Sequence, residues 1–233
     1  MLKTLIVDGN NLLKIGFHGV KEYYSQGKHV GGLWHFINTI RKFIEEHNFD
    51  KVVVFWDSEG SSSSRKLIYP QYKENRRSNY NDNKEESYEF QKTRIKSYLE
   101  ETFIRQIECI NNEADDLIAT YAETAKANGY DVIIVSSDKD LMQLVDDKVS
   151  MFDPIKSRPI KREEVFEKFG VYPDKVIDVQ ALAGDSSDNV PGVPGIGIKR
   201  AVALFDKEGY TWDTVVKAFA EKELSEDVAL TNA

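Results

Sequence analysis

The chain has 233 residues, 41% of them hydrophobic and 30% charged, which fits one large domain or a domain with a small appendage and excludes global disorder. A single cysteine, Cys109, and four scattered histidines, His18, His29, His35 and His47, exclude an internal disulfide and a cysteine zinc cage; no apolar run nears the roughly 20 residues that span a bilayer, so a cytoplasmic setting without a membrane partner is expected. The net charge of −8 hides an asymmetry: Arg65 to Lys96 holds nine basic residues against five acidic, +4, and leaves −12 elsewhere, which suggests carboxylates that hold cations and a cationic element that holds phosphate.

Leu2 to Val7 is a short apolar run that ends at Asp8-Gly9-Asn10-Asn11, the pattern of a buried strand followed by a turn. Helical spacing follows from Leu33 to His47, with Trp34, Ile37, Ile40, Phe43 and Ile44 on one face, and Lys51 to Phe55 is a second buried strand ending at Trp56-Asp57. The serines Ser61 to Ser64 open a polar stretch that runs to about Glu100 with Tyr69, Tyr72, Tyr80, Tyr88 and Phe90 interleaved. A stretch this polar lacks the apolar surface to offset its ordering cost, so it is expected to be mobile until nucleic acid orders it. Within it Lys73 and Arg76 are three apart, on one face if the turn is helical.

Glu113 to Asn128 reads as a helix closed by Gly129, and Asp131 to Val135 as a third strand ending in Ser136-Ser137-Asp138. Helices are expected near Arg162–Phe169 and Asp174–Ala183, before the glycine- and proline-rich stretch Pro191 to Gly197. No internal repeat is evident. The expected fold is α/β, with a central, mainly parallel sheet and helices on both faces.

Three expected parallel strands thus end in carboxylates, Asp8, Asp57 and Asp138, and ligands of open α/β sheets sit at the carboxyl ends of strands. Each alone would pass for a turn former or helix cap. Glu113, Asp115 and Asp116 at a helix start, Asp140, and the pair Asp185 and Asp188 bring the set to nine. Helix-start attraction of about 0.3 to 1 kcal/mol per anion could not offset such crowding, whereas bound cations could. Oxygen-only ligands select hard ions, and two such ions about 3.5 to 4 Å apart can activate water and stabilise the leaving oxygen of a phosphodiester.

Rival chemistries fail on particular residues. A phosphoaspartate phosphatase would want an aspartate where Asn10 stands, a dinucleotide fold would want more than Gly9 after the first strand, and Ile198 separates the last glycine from Lys199 where a P-loop lysine would follow directly. The run Gly192 to Arg200 reads better as a tight hairpin whose amides, at a helix start, face a phosphate.

In order along the chain, Ile6-Val7-Asp8-Gly9-Asn10, Val54-Phe55-Trp56-Asp57, Tyr72-Lys73-Glu74-Asn75-Arg76, Glu113-Ala114-Asp115-Asp116, Ser137-Asp138-Lys139-Asp140 and Gly184-Asp185-Ser186-Ser187-Asp188-Asn189, with Pro191 to Gly197, resemble the bacterial and bacteriophage 5′ nucleases, relatives of the flap endonucleases and of the 5′-3′ exonuclease domain of DNA polymerase I. The resemblance implies a nuclease core over 1–183 with a helical arch at about 58–100, a helix-hairpin-helix region over 184–220 and a tail over 221–233. It implies a monomeric enzyme that cuts flap, nicked or branched DNA near 5′ ends and removes RNA from RNA–DNA hybrids. Magnesium would be the metal, with manganese as a substitute and potassium at the helix-hairpin-helix.

Position by position, Asp8, Asp57, Glu113, Asp115 and Asp116 match a first metal cluster, and Asp138, Asp140, Asp185 and Asp188 a second. Lys73 and Arg76 match the arch bases that reach the scissile phosphate, and Tyr72 an aromatic that stacks on a base. Further DNA contacts are expected at Arg65 and at Gly192, Gly195, Gly197, Lys199 and Arg200. No polymerase domain and no sliding-clamp peptide is seen in this sequence. The rival readings are a small-RNA endonuclease on a similar acidic sheet and a catalytically idle junction binder.

Overall fold

The apolar run at the N-terminus forms strand β1 (Leu2–Asp8), and the chain turns at once into helix α1 (Gly9–Gly19), whose N-cap is the Asp8 carboxylate. The computed structural model describes residues 2–20, 23–76, 82–207, 209 and 211–220. Arg77 and Tyr80 of the basic stretch and the expected tail over 221–233 lie outside the described residues. Contacts divide the chain into two units, 1–68 with 78–161 and 69–77 with 162–233.

In the first unit a short hairpin, β2 (Tyr24–Ser25) and β3 (Lys28–His29), leads to α2 (Gly31–Glu46) and β4 (Lys51–Trp56). Then come α3 (Ser63–Ile68), α4 (Asp82–Glu101), β5 (Arg105–Glu108), α5 (Ala114–Ala127), β6 (Tyr130–Val135), a 3-10 turn at Asp140–Leu144, β7 (Val149–Asp153) and β8 (Arg158–Ile160). The strands order as β5-β4-β1-β6-β7-β8, parallel throughout except for the antiparallel β7–β8 pair. Alternation assigns the faces. Leu5, Val7, Val54, Trp56 and Val135 pack with α1, α2 and α4, while Phe55 on the other face meets Tyr121 of α5, ring centroids 5.5 Å apart. The expected mainly parallel sheet with helices on both faces is therefore what forms.

Two expectations need correction here. On α2 the buried side chains are Phe36, Ile40 and Phe43, whereas Trp34 and Ile44 are each 43% exposed. The helix carries two apolar stripes about 100° apart, and the one that meets Trp56 is buried: Phe36 stacks on that indole at 5.7 Å. The polar stretch is not uniformly short of apolar surface either. Tyr88, Gln91, Ile95 and Leu99 of α4 are buried, at 8%, 0%, 0% and 1% exposure, with the three hydrophobic side chains in the core. Gln91 caps α2 by accepting from Leu33 N–H at 2.9 Å. From Tyr88 onward one face of α4 is anchored in the core, while Glu89, Thr93, Arg94 and Glu100 are exposed.

The second unit holds α6 (Arg162–Phe169), a 3-10 turn at Pro173–Lys175, α7 (Val176–Ala183), the two-residue strands β9 (Gly184–Asp185) and β10 (Val190–Pro191), α8 (Ile198–Lys207) and α9 (Trp212–Ala220). Its division from the first unit falls at 161/162 rather than at 183/184, because α7 packs against α8 and so goes with the glycine-rich turn. Two glycines make that turn possible. Gly184 has φ +73, and a Cβ on Gly192 would lie 2.3 Å from the Ala183 carbonyl carbon. Gly192→Ala is accordingly expected to destabilise this unit by about 2–4 kcal/mol, since the clash is with backbone that cannot step aside. Urea unfolding followed by the fluorescence of Trp212 measures this, and an unchanged midpoint would contradict it.

Candidate functional site

The carboxyl ends of the parallel strands in the first unit gather Asp8, Asp57 and Asp138. Asp8 Oδ1 accepts from Asn11 N–H at 3.0 Å and Oδ2 from the Ser136 hydroxyl at 2.9 Å, which ties β1 to the end of β6. Asp57 Oδ1 accepts from Ala114 N–H at 2.8 Å and Oδ2 from Asn10 Nδ2 at 2.7 Å, so the end of β4 is tied to the start of α5 and to α1. Asp138 Oδ1 accepts from Asp140 N–H at 2.9 Å, the one-turn arrangement their spacing suggests.

Asp8 is 5% exposed, and its carboxyl is pushed up from 3.8 to about 6. Burial is the main cause and the charges of Asp57 and Asp138 add to it, against the hydrogen bonds from Asn11 and Ser136, which pull the other way. Glu113, 4% exposed, is the N-cap residue of α5 but makes no side-chain cap bond. Asp115 and Asp116 follow in the first turn. The Arg65 guanidinium, expected on DNA, lies on Asp116 in a bidentate pair, 2.8 Å for each bond, with Glu113 Oε2 at 3.4 Å.

The donor set suits a hard divalent cation. All the acidic groups offer oxygen, the Asp8 charge is disfavoured without a counter-charge, and Asn10 Oδ1 is a buried acceptor without a hydrogen-bond partner among the described residues. Asp8, Asp57, Glu113, Asp115, Asp116, Asp138 and Asp140 belong to the first unit, and Asp185 and Asp188 to the second. Asn10, Asn11 and Ser136 escaped the sequence reading as site residues. The signal available was their adjacency to strand-end aspartates in Asp8-Gly9-Asn10-Asn11 and Ser136-Ser137-Asp138.

In the second unit Asp185 Oδ1 accepts from Ser187 N–H at 2.8 Å and from its hydroxyl at 2.6 Å. Asp188 is held from residues far away in sequence: the Tyr72 hydroxyl donates to Oδ2 at 2.9 Å, Lys73 Nζ stands 3.8 Å from Oδ2, and Arg76 Nη2 pairs with Oδ1. Two expectations are corrected by this. Lys73 is not in a helical turn but in a bend at φ +56, and Tyr72, expected to stack on a base, is 7% exposed with its hydroxyl on Asp188. In the glycine-rich turn Gly195 has φ +80 and its carbonyl accepts from Arg200 Nη1 at 2.5 Å, Lys199 is exposed, and Gly197 faces open space.

A parallel α/β sheet with acidic side chains gathered at the carboxyl ends of its strands has the architecture of nucleases that work with metal ions. The sequence matches the 5′-3′ exonuclease N-terminal resolvase-like domain over residues 3–170 and the 5′-3′ exonuclease C-terminal SAM fold over residues 171–231. It is 34% identical over 205 residues to a 5′-3′ exonuclease of Buchnera aphidicola, covering 87% of this chain and 69% of that protein. It is 39% identical over 228 residues to DNA polymerase I of Rhizobium leguminosarum, covering 93% of this chain but only 22% of that protein. A bacteriophage T5 D15 flap endonuclease, in a pseudo-enzyme-product complex with DNA and metal ions, superposes with TM-score 0.72 at 25% identity, over 95% of this chain and 85% of that one. The chain belongs to the 5′-3′ exonuclease family. The pair α7 and α8 around the glycine-rich turn fits the SAM fold of its C-terminal part. Among the described residues no helix is long and apolar enough to cross a membrane.

Proposed function

We propose that the protein is a structure-specific 5′ nuclease that hydrolyses phosphodiester bonds near the 5′ ends of flap, nicked or branched DNA, and of RNA paired with DNA. The observation that carries the reading is the convergence of Asp8, Asp57 and Asp138 at three parallel strand ends, with the Asp8 carboxyl held near 6 by burial and by the other two charges.

Asp8, Asp57, Glu113, Asp115 and Asp116 would hold one divalent cation, and Asp138, Asp140, Asp185 and Asp188 another, magnesium being the ion and manganese its substitute. Ions held there would supply charge neutralisation, an activated water and stabilisation of the leaving oxygen. Asn10 and Ser136 orient Asp57 and Asp8 through the hydrogen bonds described above. Lys73 and Arg76 bring positive charge to the scissile phosphate, where charge develops during cleavage. Amides near Gly192, Gly195 and Gly197, with Lys199 and Arg200, grip the duplex through phosphates and without base readout, with potassium as the ion of that turn. The working form is a monomer.

The test is cleavage of 5′-labelled flap, nicked and single-stranded substrates with magnesium and with a chelator. Cleavage near the junction of the flap, lost on chelation, is expected. Tight binding of the junction without any cleavage would replace this reading by the idle junction binder.

A further inference from the structure

Residues 71–76 are fastened to the loop that carries Asp188. Lys73 N–H donates to the Asp188 carbonyl at 2.9 Å, Asn75 Nδ2 to the Ser186 carbonyl at 2.8 Å, Arg76 Nε to the Ser187 carbonyl at 3.2 Å, and Asn189 Nδ2 to the Gln71 carbonyl at 2.7 Å. At the centre of this clasp the Asp188 carboxylate is 9% exposed for the whole residue, with Tyr72 and Lys73 on one oxygen and Arg76 on the other. The clasp also holds Lys73 at φ +56, a backbone region that a lysine keeps only where its surroundings over-determine it.

These contacts conflict with a second use of the same group. A carboxylate has two oxygens and about four acceptor directions. A divalent cation needs one of those oxygens within about 2.0–2.6 Å, and would then sit beside two cations already packed on that carboxylate. We propose that Asp188 has two mutually exclusive partners, the Lys73–Arg76 pair and a divalent metal ion, so that metal binding opens the clasp and releases both side chains toward a phosphate. Tyr72 is the positioning residue of this exchange: its buried hydroxyl fixes the rotamer of Asp188 in the clasped state. The inference rests on the reading of Asp188 as a metal-binding carboxylate. By linkage the coupling is reciprocal, so weakening the clasp must tighten metal binding.

Manganese binding without DNA, followed by the electron paramagnetic resonance of the free ion, gives a readout independent of catalysis. Lys73→Gln combined with Arg76→Gln removes both charges and keeps polar side chains, and Arg76→Gln alone is the milder variant should the pair fold poorly. One class of manganese site is expected to tighten about 10-fold in the double variant and less in the single one, because an adjacent charge moves a carboxylate's affinity by that order. Hydrogen exchange at the Lys73 amide of the unmodified protein is expected to quicken as manganese is added. Equal or weaker manganese binding in both variants, or slower exchange at Lys73 with the ion, would overturn the exchange. Asp188→Asn separates the two layers. If it leaves manganese affinity unchanged, the metal reading of Asp188 falls and the exchange with it; if it weakens binding while the charge-removing variants do not tighten it, only the exchange falls.

Discussion

Asp8→Asn is expected to lower hydrolysis by about 10³-fold while making the free protein more stable at neutral pH. The two effects share one cause. The Asp8 carboxyl is buried, its usual 3.8 is raised to about 6, and burial outweighs the two hydrogen bonds that favour the charged form. A carboxyl whose folded-state value lies above its unfolded value contributes stability that is full below the ordinary carboxylate range and is lost as pH rises through about 6. Above pH 7 the buried, ionised Asp8 therefore costs stability in the absence of a bound cation. Asparagine has nearly the same shape. Its amide oxygen can accept from Asn11 N–H, and its amide nitrogen can donate to the Ser136 oxygen. In chelator, urea midpoints of variant and wild type should differ most near pH 7.5 and converge toward pH 4. Added magnesium should stabilise the wild type more than the variant. A variant less stable than wild type at pH 7.5, or a gap that does not shrink with acid, would contradict this account.

The strand-end aspartates were legible because a buried parallel strand appears in sequence as an uninterrupted apolar run, and the first polar residue after it marks the ligand-facing edge. Asp8 after Leu5 to Val7 and Asp57 after Val52 to Trp56 follow that rule. Strand β5 escaped it, since Arg105-Gln106-Ile107-Glu108 is an edge strand paired on one side only and carries no apolar run. In α4 the residues Tyr88, Ile95 and Leu99 do have helical spacing, but the polar and charged residues between them mask it, and composition alone reads the stretch as solvated. On α2 periodicity allowed two stripes, and only the position of Trp56 on the sheet selects Phe36. The partners of Asp188 were beyond any local pattern. Tyr72 and Arg76 lie 116 and 112 residues from it along the chain, and a lysine gives no hint of the left-handed backbone found at Lys73.

Lys73→Ala is expected to lower the single-turnover cleavage rate by roughly 10²-fold at saturating magnesium, the size of losing one donor that stabilises developing charge. Affinity for a flap substrate should change modestly, because eight other basic residues remain between Arg65 and Lys96 and each phosphate contact carries only part of the binding. Saturating metal matters, since loss of the Lys73 contact to Asp188 at 3.8 Å would otherwise shift the metal dependence as well as the rate. The position adds a control of its own. At φ +56 a glycine is more comfortable than alanine, so Lys73→Gly removes the charge while relieving about 1 kcal/mol of backbone cost. Equal rate losses in the two variants, with a higher urea midpoint for the glycine, would assign the catalytic effect to the missing ammonium and not to a disturbed bend. A rate that recovers in Lys73→Gly would assign it to the backbone, and an undiminished rate in both would remove Lys73 from the reaction.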